Sequence, residues 1–143
     1  MCYNLTVLTH IVQLSGGDIV LIVDKMSRKP IYEQIIDGIK REIVMGIIPE
    51  QAQLPSIREL SAILQTNPNT VQKAFVELDR DGIIVSSPGR GCFVADGARQ
   101  RIKSCMASKI DEIYAVAREL ANAGIDKDTI INAIESAYSK DNC

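Results

Sequence analysis

The feature that most limits what this chain can fold into is a break of only about four turn residues between two amphipathic helices. The first helix opens at Ser56-Ile57-Arg58-Glu59, a capping box in which the Ser56 hydroxyl accepts from the Glu59 N–H and the Glu59 carboxylate reaches back to the Ser56 N–H. Ile57, Leu60, Ile63 and Leu64 form its apolar face, and the pattern fails at Gln65-Thr66. Asn67 is an N-cap residue type and Pro68 suits the first helical position, so a second helix starts there. Val71, Ala74, Phe75 and Leu78 face inward along it, and Gly82 terminates it. Two helices joined by so short a turn, the second opening on polar residues, form the helix-turn-helix pattern.

The flanking segments fit that pattern. Ile83-Ile84-Val85-Ser86 and Cys92-Phe93-Val94 are strand-like and enclose a turn-rich tip, Ser87-Pro88-Gly89-Arg90-Gly91, which predicts a β-hairpin wing. Upstream, Pro30 opens a helix at the first-turn position, with Ile31, Ile35, Ile39 and Ile43 recurring every fourth residue, Ile36 and Val44 widening the stripe, and Gly46 as a stop. Ala52 to Leu54 suits a short strand, and Ile19 to Val23 reads as a short buried strand. Residues 1–19 show no clear period; Ser15-Gly16-Gly17-Asp18 before a Val suggests a translated ribosome-binding site, and an over-extended gene start is the expectation. After Arg101, Ile102, Met106, Ile110, Ile113, Ala117 and Leu120 predict a long helix ended by Gly124. Asp126 then caps a last helix to about Tyr138.

Length and charge set the outer limits. With 143 residues there is room for one ordinary domain and a small appendage. A net charge of -2 excludes a protein that coats nucleic acid through a large basic surface. Between Val20 and Arg101, however, eleven Lys or Arg stand against ten Asp or Glu, so the acid excess lies mainly in the tail and DNA contact must depend on placement. Cys2, Cys92, Cys105 and Cys143 form no CxxC pair, and His10 is the single histidine, so reduced thiols are expected and no metal or other cofactor. Leu5 to Leu14 lacks the basic start and small-residue cleavage pattern of a signal peptide. No stretch approaches the ~20 apolar residues of a membrane span, and a cytoplasmic location is expected.

Four blocks then carry a resemblance: Lys29-Pro30-Ile31-Tyr32-Glu33-Gln34-Ile35, Leu54-Pro55-Ser56-Ile57-Arg58-Glu59-Leu60, Asn67-Pro68-Asn69-Thr70-Val71 and Gly89-Arg90-Gly91-Cys92-Phe93-Val94. In this order and spacing over residues 29–97 they resemble the GntR family of bacterial regulators, and Asn-Pro-Asn-Thr-Val with the short C-terminal part resembles its YtrA subfamily. The resemblance implies a homodimeric winged helix-turn-helix repressor, often placed near genes for ABC-type transporters. The expected fold is mainly α with a small β-hairpin wing: a DNA-binding domain over 20–97, then a short two-helix dimerisation or effector segment over 98–143. Many relatives carry Arg-Thr-Thr where this chain has Pro68-Asn69-Thr70, and a basic residue in place of Gln72, so their base contacts do not transfer. Cys92 stands where Thr is usual.

An α-helix fits the major groove, and its first-turn side chains and free N–H groups face bases and phosphates. Asn69, Thr70, Gln72 and Lys73 occupy that end: the amides suit adenine, Thr70 a phosphate or thymine methyl, Lys73 a phosphate or guanine, and Pro68 shape alone. The family places a DNA-contacting arginine at Arg58, and Arg90 with Gly91 forms a tip able to enter the minor groove. Ser56 and Lys29 are weaker candidates. Asn69 and Gln72 also fit as ordinary solvated positions, Arg58 as an ion-pair partner of Glu59 or Glu33, Arg90 as a solubilising tip residue and Cys92 as a small core residue.

In the tail, two helices alone do not enclose a ligand pocket of ~300 Å³ or more, so a small-molecule effector is left open. They do suit a symmetric homodimer that covers Ile113, Ala117, Leu120, Ile130, Ile134 and Tyr138. Duplex operator DNA and a second copy are therefore the expected partners. An enzyme lacks its parts here: there is no P-loop, nucleophile motif or carboxylate cluster. The remaining rival is a winged helix used for protein or RNA contact.

Overall fold

The computed structural model describes the backbone of residues 7–14 and 17–139, and side chains from Ile19 onward. It opens on a hairpin that the sequence pattern does not announce: β1 (Val7–Leu14) pairs antiparallel with β2 (Gly17–Asp24) from Val7↔Asp24 to Leu14↔Gly17. Against the expectation of a strand buried throughout over Ile19–Val23, only Ile19, Leu21 and Val23 are buried, while Val20 and Ile22 face outward. A continuous apolar run does not distinguish one covered face from two.

Helix α1 (Ile31–Val44) packs on β2. Pro30 is its N-cap, one position before the expected one, because its ψ of 144° is still extended. Gln34 ties the two elements together: its Oε1 accepts from the Asp24 N–H at 2.7 Å, and its Nε2 donates to the carbonyls of Asp24 and Lys29 at 2.9 and 2.8 Å. Gly46, at φ +79°, ends the helix, with its own N–H on the Ile43 carbonyl and the Ile47 N–H on that of Glu42.

Helices α2 (Ile57–Ile63) and α3 (Pro68–Arg80) follow, then β3 (Ile84–Ser87) and β4 (Gly91–Val94). The capping box at Ser56 and Glu59 is formed, with Ser56 N–H to Glu59 Oε2 at 2.8 Å and Glu59 N–H to Ser56 Oγ at 3.2 Å. Ile35, Ile39, Ile43, Leu60, Leu64, Val71, Ala74, Phe75, Leu78, Ile84 and Val94 form one core, with Ile57 and Ile63 only partly buried at its margin. Gly82, at φ +70°, closes α3 in the same way that Gly46 closes α1.

Hydrogen bonds from the Ser56 backbone and hydroxyl hold the Glu59 carboxyl below its ordinary value of 4.5. A carboxylate depressed in the fold stabilises above the unfolded value, and that contribution fades as pH falls through the folded one. Acidification below 4.5 is therefore expected to lower the melting temperature less steeply in Glu59→Gln than in the parent. Parallel acid slopes in thermal melts would refute a role for this cap in acid sensitivity.

Helix α4 (Ala98–Asn122) starts earlier than expected, since Gly97 at φ +73° ends the preceding turn and Ala98 is itself buried in the core with Ile102. Helix α5 (Lys127–Ser139) is capped by Asp126, whose carboxylate accepts from the Thr129 N–H at 3.0 Å and from its hydroxyl at 2.7 Å. The chain divides into two compact units, one ending at Lys103 and the other beginning at Ser104.

Candidate nucleic-acid interface

The front of α3 is built by two residues that cannot continue a helix backwards. Asn67 has extended backbone, its Oδ1 accepts from the Asn69 N–H at 2.8 Å, and Pro68 follows with no N–H to satisfy. The Thr70 N–H is on the Asn67 carbonyl at 2.9 Å. This corrects the expectation of free N–H groups at this end: the first turn spends those of Asn69 and Thr70 internally, so side chains are what it offers to solvent. Asn69, Gln72 and Lys73 are exposed and Thr70 is half-buried, while Val71, Ala74, Phe75 and Leu78 are locked inward.

The Lys73 ammonium sits 3.8 Å from the centroid of the Tyr32 ring, on the first turn of α1. That cation–π contact holds the side chain out over the α1–α3 junction, where it competes with any phosphate for the charge. Lys29, one of the two weaker sequence candidates, is paired with Asp37. The helix-turn-helix turn is held from outside as well, since Lys25 Nζ donates to the Gln65 carbonyl at 2.9 Å. No local sequence signal points to the Tyr32, Lys25 or Gln34 contacts: the first two join residues far apart along the chain, and Gln34 reaches back to Asp24 and Lys29 at no helical spacing.

Ser56 and Arg58 lie at the exposed front of α2. Glu59 is engaged with Ser56, and among the described residues Arg58 takes part in no ion pair. The guanidinium is thus presented to solvent rather than consumed by either suggested carboxylate.

Strands β3 and β4 pair antiparallel from Ile84↔Val94 to Ser87↔Gly91, which shortens the wing tip to Pro88-Gly89-Arg90. Ser87 and Gly91, expected in the tip, complete the ladder. Gly89 and Gly91 have φ of +75° and +110°, so the tip turns through conformations that favour glycine. Arg90 is exposed, and Cys92 is half-buried with its Sγ 3.5 Å from Ser86 Oγ across the ladder.

In the second unit, the crook between α4 and α5 forms an open groove of about 630 Å³ lined by Ile113, Ala117, Leu120, Ile130, Ile134 and Tyr138 among others. Those are the six residues expected at a dimer contact. Tyr138 is 78% exposed, Ile113 55% and Ile134 43%, so the apolar faces are uncovered in the single chain. No helix among the described residues is long and apolar enough to cross a membrane.

A recognition helix braced by two others and followed by a two-stranded wing makes the chain a winged helix-turn-helix protein, a class that binds duplex DNA. Residues 31–94 match the model for bacterial regulatory proteins of the gntR family. The chain is 42% identical over 90 residues to the HTH-type transcriptional repressor YtrA of Bacillus subtilis, covering 63% of this chain and 69% of that one. Among solved structures it is similar to a GntR family transcriptional regulator from Listeria monocytogenes, with a TM-score of 0.62 and 32% identity over 77% of this chain and 96% of the other. It is also similar to YtrA from Sulfolobus acidocaldarius, a GntR-family transcription factor, with a TM-score of 0.50 and 32% identity over 85% and 98%. The chain belongs to the GntR family, in its YtrA-like branch, and is a DNA-binding transcription regulator rather than an enzyme.

Proposed function

We propose that this regulator is a repressor that binds an inverted-repeat operator as a homodimer. The DNA-binding domain would be residues 20–97 and the dimerisation segment residues 98–143. The observation that carries the reading is the front of α3, whose polar side chains Asn69, Gln72 and Lys73 are solvent-facing while the opposite face is buried. Asn69 and Gln72 read adenine edges, Thr70 meets a phosphate or thymine methyl, and Lys73 leaves Tyr32 for a phosphate or guanine. Ser56 and Arg58 hold the sugar-phosphate backbone, and Arg90 with Gly91 enters the minor groove. In the dimer, two recognition helices ~34 Å apart reach successive turns of one groove face. Repression is supported by likeness to a repressor, and a transporter operon as target rests on the family resemblance of the four sequence blocks.

Selection of bound fragments from genomic DNA, followed by titration across a salt series, tests this. The selected duplex is expected to bind with a steep loss of affinity as salt rises. Asn69→Ala should cost ~1–3 kcal/mol on that duplex and relax preference at one base pair. Arg58→Ala should instead weaken all duplexes alike and flatten the salt slope by about one. If Thr70→Ala and Arg58→Ala both bind as the parent does, this placement of α2 and α3 on DNA is wrong.

A further inference from the structure

Gln53 stands in the connector just before Leu54-Pro55-Ser56, yet it reaches the wing. Its backbone bridges to Phe93 of β4. The Leu54 N–H donates to the Cys92 carbonyl at 2.8 Å, and the Val94 N–H to that of Ala52 at 2.9 Å, so the connector runs as a short third strand beside β4. From this anchored position Gln53 Nε2 donates to the Arg90 carbonyl at 2.9 Å. On the other side of the same residue, the Arg90 N–H is taken by the Ser87 carbonyl at 3.0 Å. The Arg90 backbone is thereby pinned twice, once by its own hairpin and once by Gln53. Its guanidinium has no ion-pair or hydrogen-bond partner among the described residues.

Gly91 belongs to the same device. Its φ of +110° is one that side chains rarely adopt, and a Cβ there would lie 3.0 Å from Gln53 Nε2. Glycine supplies the bend and also the room through which the Gln53 amide passes.

We propose that Gln53 is a positioning residue for DNA recognition, fixing the peptide unit from which the Arg90 side chain projects into the minor groove. The proposal rests on the reading of Arg90 as a DNA contact. A tip that must be ordered at the moment of binding loses affinity to that ordering, whereas a tip already fixed does not. Because the connector leads straight into the Ser56 cap of α2, the clamp also ties the wing to the element that carries Arg58.

A double-mutant cycle on the selected duplex tests it. Gln53→Ala is expected to weaken binding about fivefold, the size of one hydrogen bond. Arg90→Ala should weaken it about tenfold, and Gln53→Ala combined with Arg90→Ala should be no weaker than Arg90→Ala alone. The melting temperature should fall by a few degrees at most, since only one exposed hydrogen bond is lost. Additive losses, or parental binding by Gln53→Ala, would overturn the positioning role while leaving Arg90 as a contact. Parental binding by Arg90→Ala would overturn the reading of the wing itself, and this role with it.

Discussion

Replacing Ile113 and Ile134 together by aspartate is expected to leave the protein monomeric in solution and to weaken operator binding by about a thousandfold. Both side chains line the groove of about 630 Å³ between α4 and α5. They are 55% and 43% exposed in the single chain, so the substitution costs the isolated fold little. In a dimer the same positions would be covered, and a carboxylate buried there without a partner carries a penalty of several kcal/mol. A lone protomer reads only one half-site and falls back toward the non-specific affinity, which is typically ~10³-fold or more weaker. Sedimentation velocity and duplex titration check the two halves of this expectation. A parent protein that sediments as a monomer at micromolar concentration, or a double variant that still dimerises, would refute the assignment of this face.

The second large effect is on stability. Leu78→Ala should lower the unfolding free energy by ~2–5 kcal/mol, because truncating a fully buried leucine loses transfer energy and leaves a cavity. Leu78 is 0% exposed, and its carbonyl also accepts the Ile83 N–H that closes α3, so its surroundings are fixed on both sides. Against a typical total of ~5–15 kcal/mol, that loss removes a large part of the stability of the DNA-binding unit. Val76, two residues earlier on the same helix and 58% exposed, is the control. Val76→Ala is expected to change stability by less than about 0.5 kcal/mol. Urea unfolding should show a lower midpoint for Leu78→Ala with an unchanged slope. Equal midpoints for the two variants would mean that α3 does not pack as described.

Much of the candidate interface was legible in sequence. The capping box at Ser56, the Asn67-Pro68 restart and the glycine stops lie where their residue types place them, and each wing strand reaches one residue further toward the tip than expected. Other features had no sequence signal. Glu42 reads as an ordinary charged position on α1, yet it is 3% exposed, with one carboxylate oxygen 3.6 Å from Arg41 Nε and the other without a hydrogen-bond partner. A charge on a helix defaults to solvent, and only the packing of neighbouring elements decides otherwise.

What the sequence by itself determined is therefore the set of helices, most of their ends and most of the residues that α1, α2 and α3 bury, together with the family. Caps and stripes are interactions between residues three or four apart, which a linear chain displays directly. What the tertiary structure alone decided is which residues of different elements hold the helix-turn-helix and the wing in shape: Gln34 on Asp24, Lys25 on Gln65, Tyr32 under Lys73, and Gln53 on Arg90. Those partners meet because the core brings their elements together, and a glutamine or lysine carries no mark in the chain of the carbonyl or ring it will find.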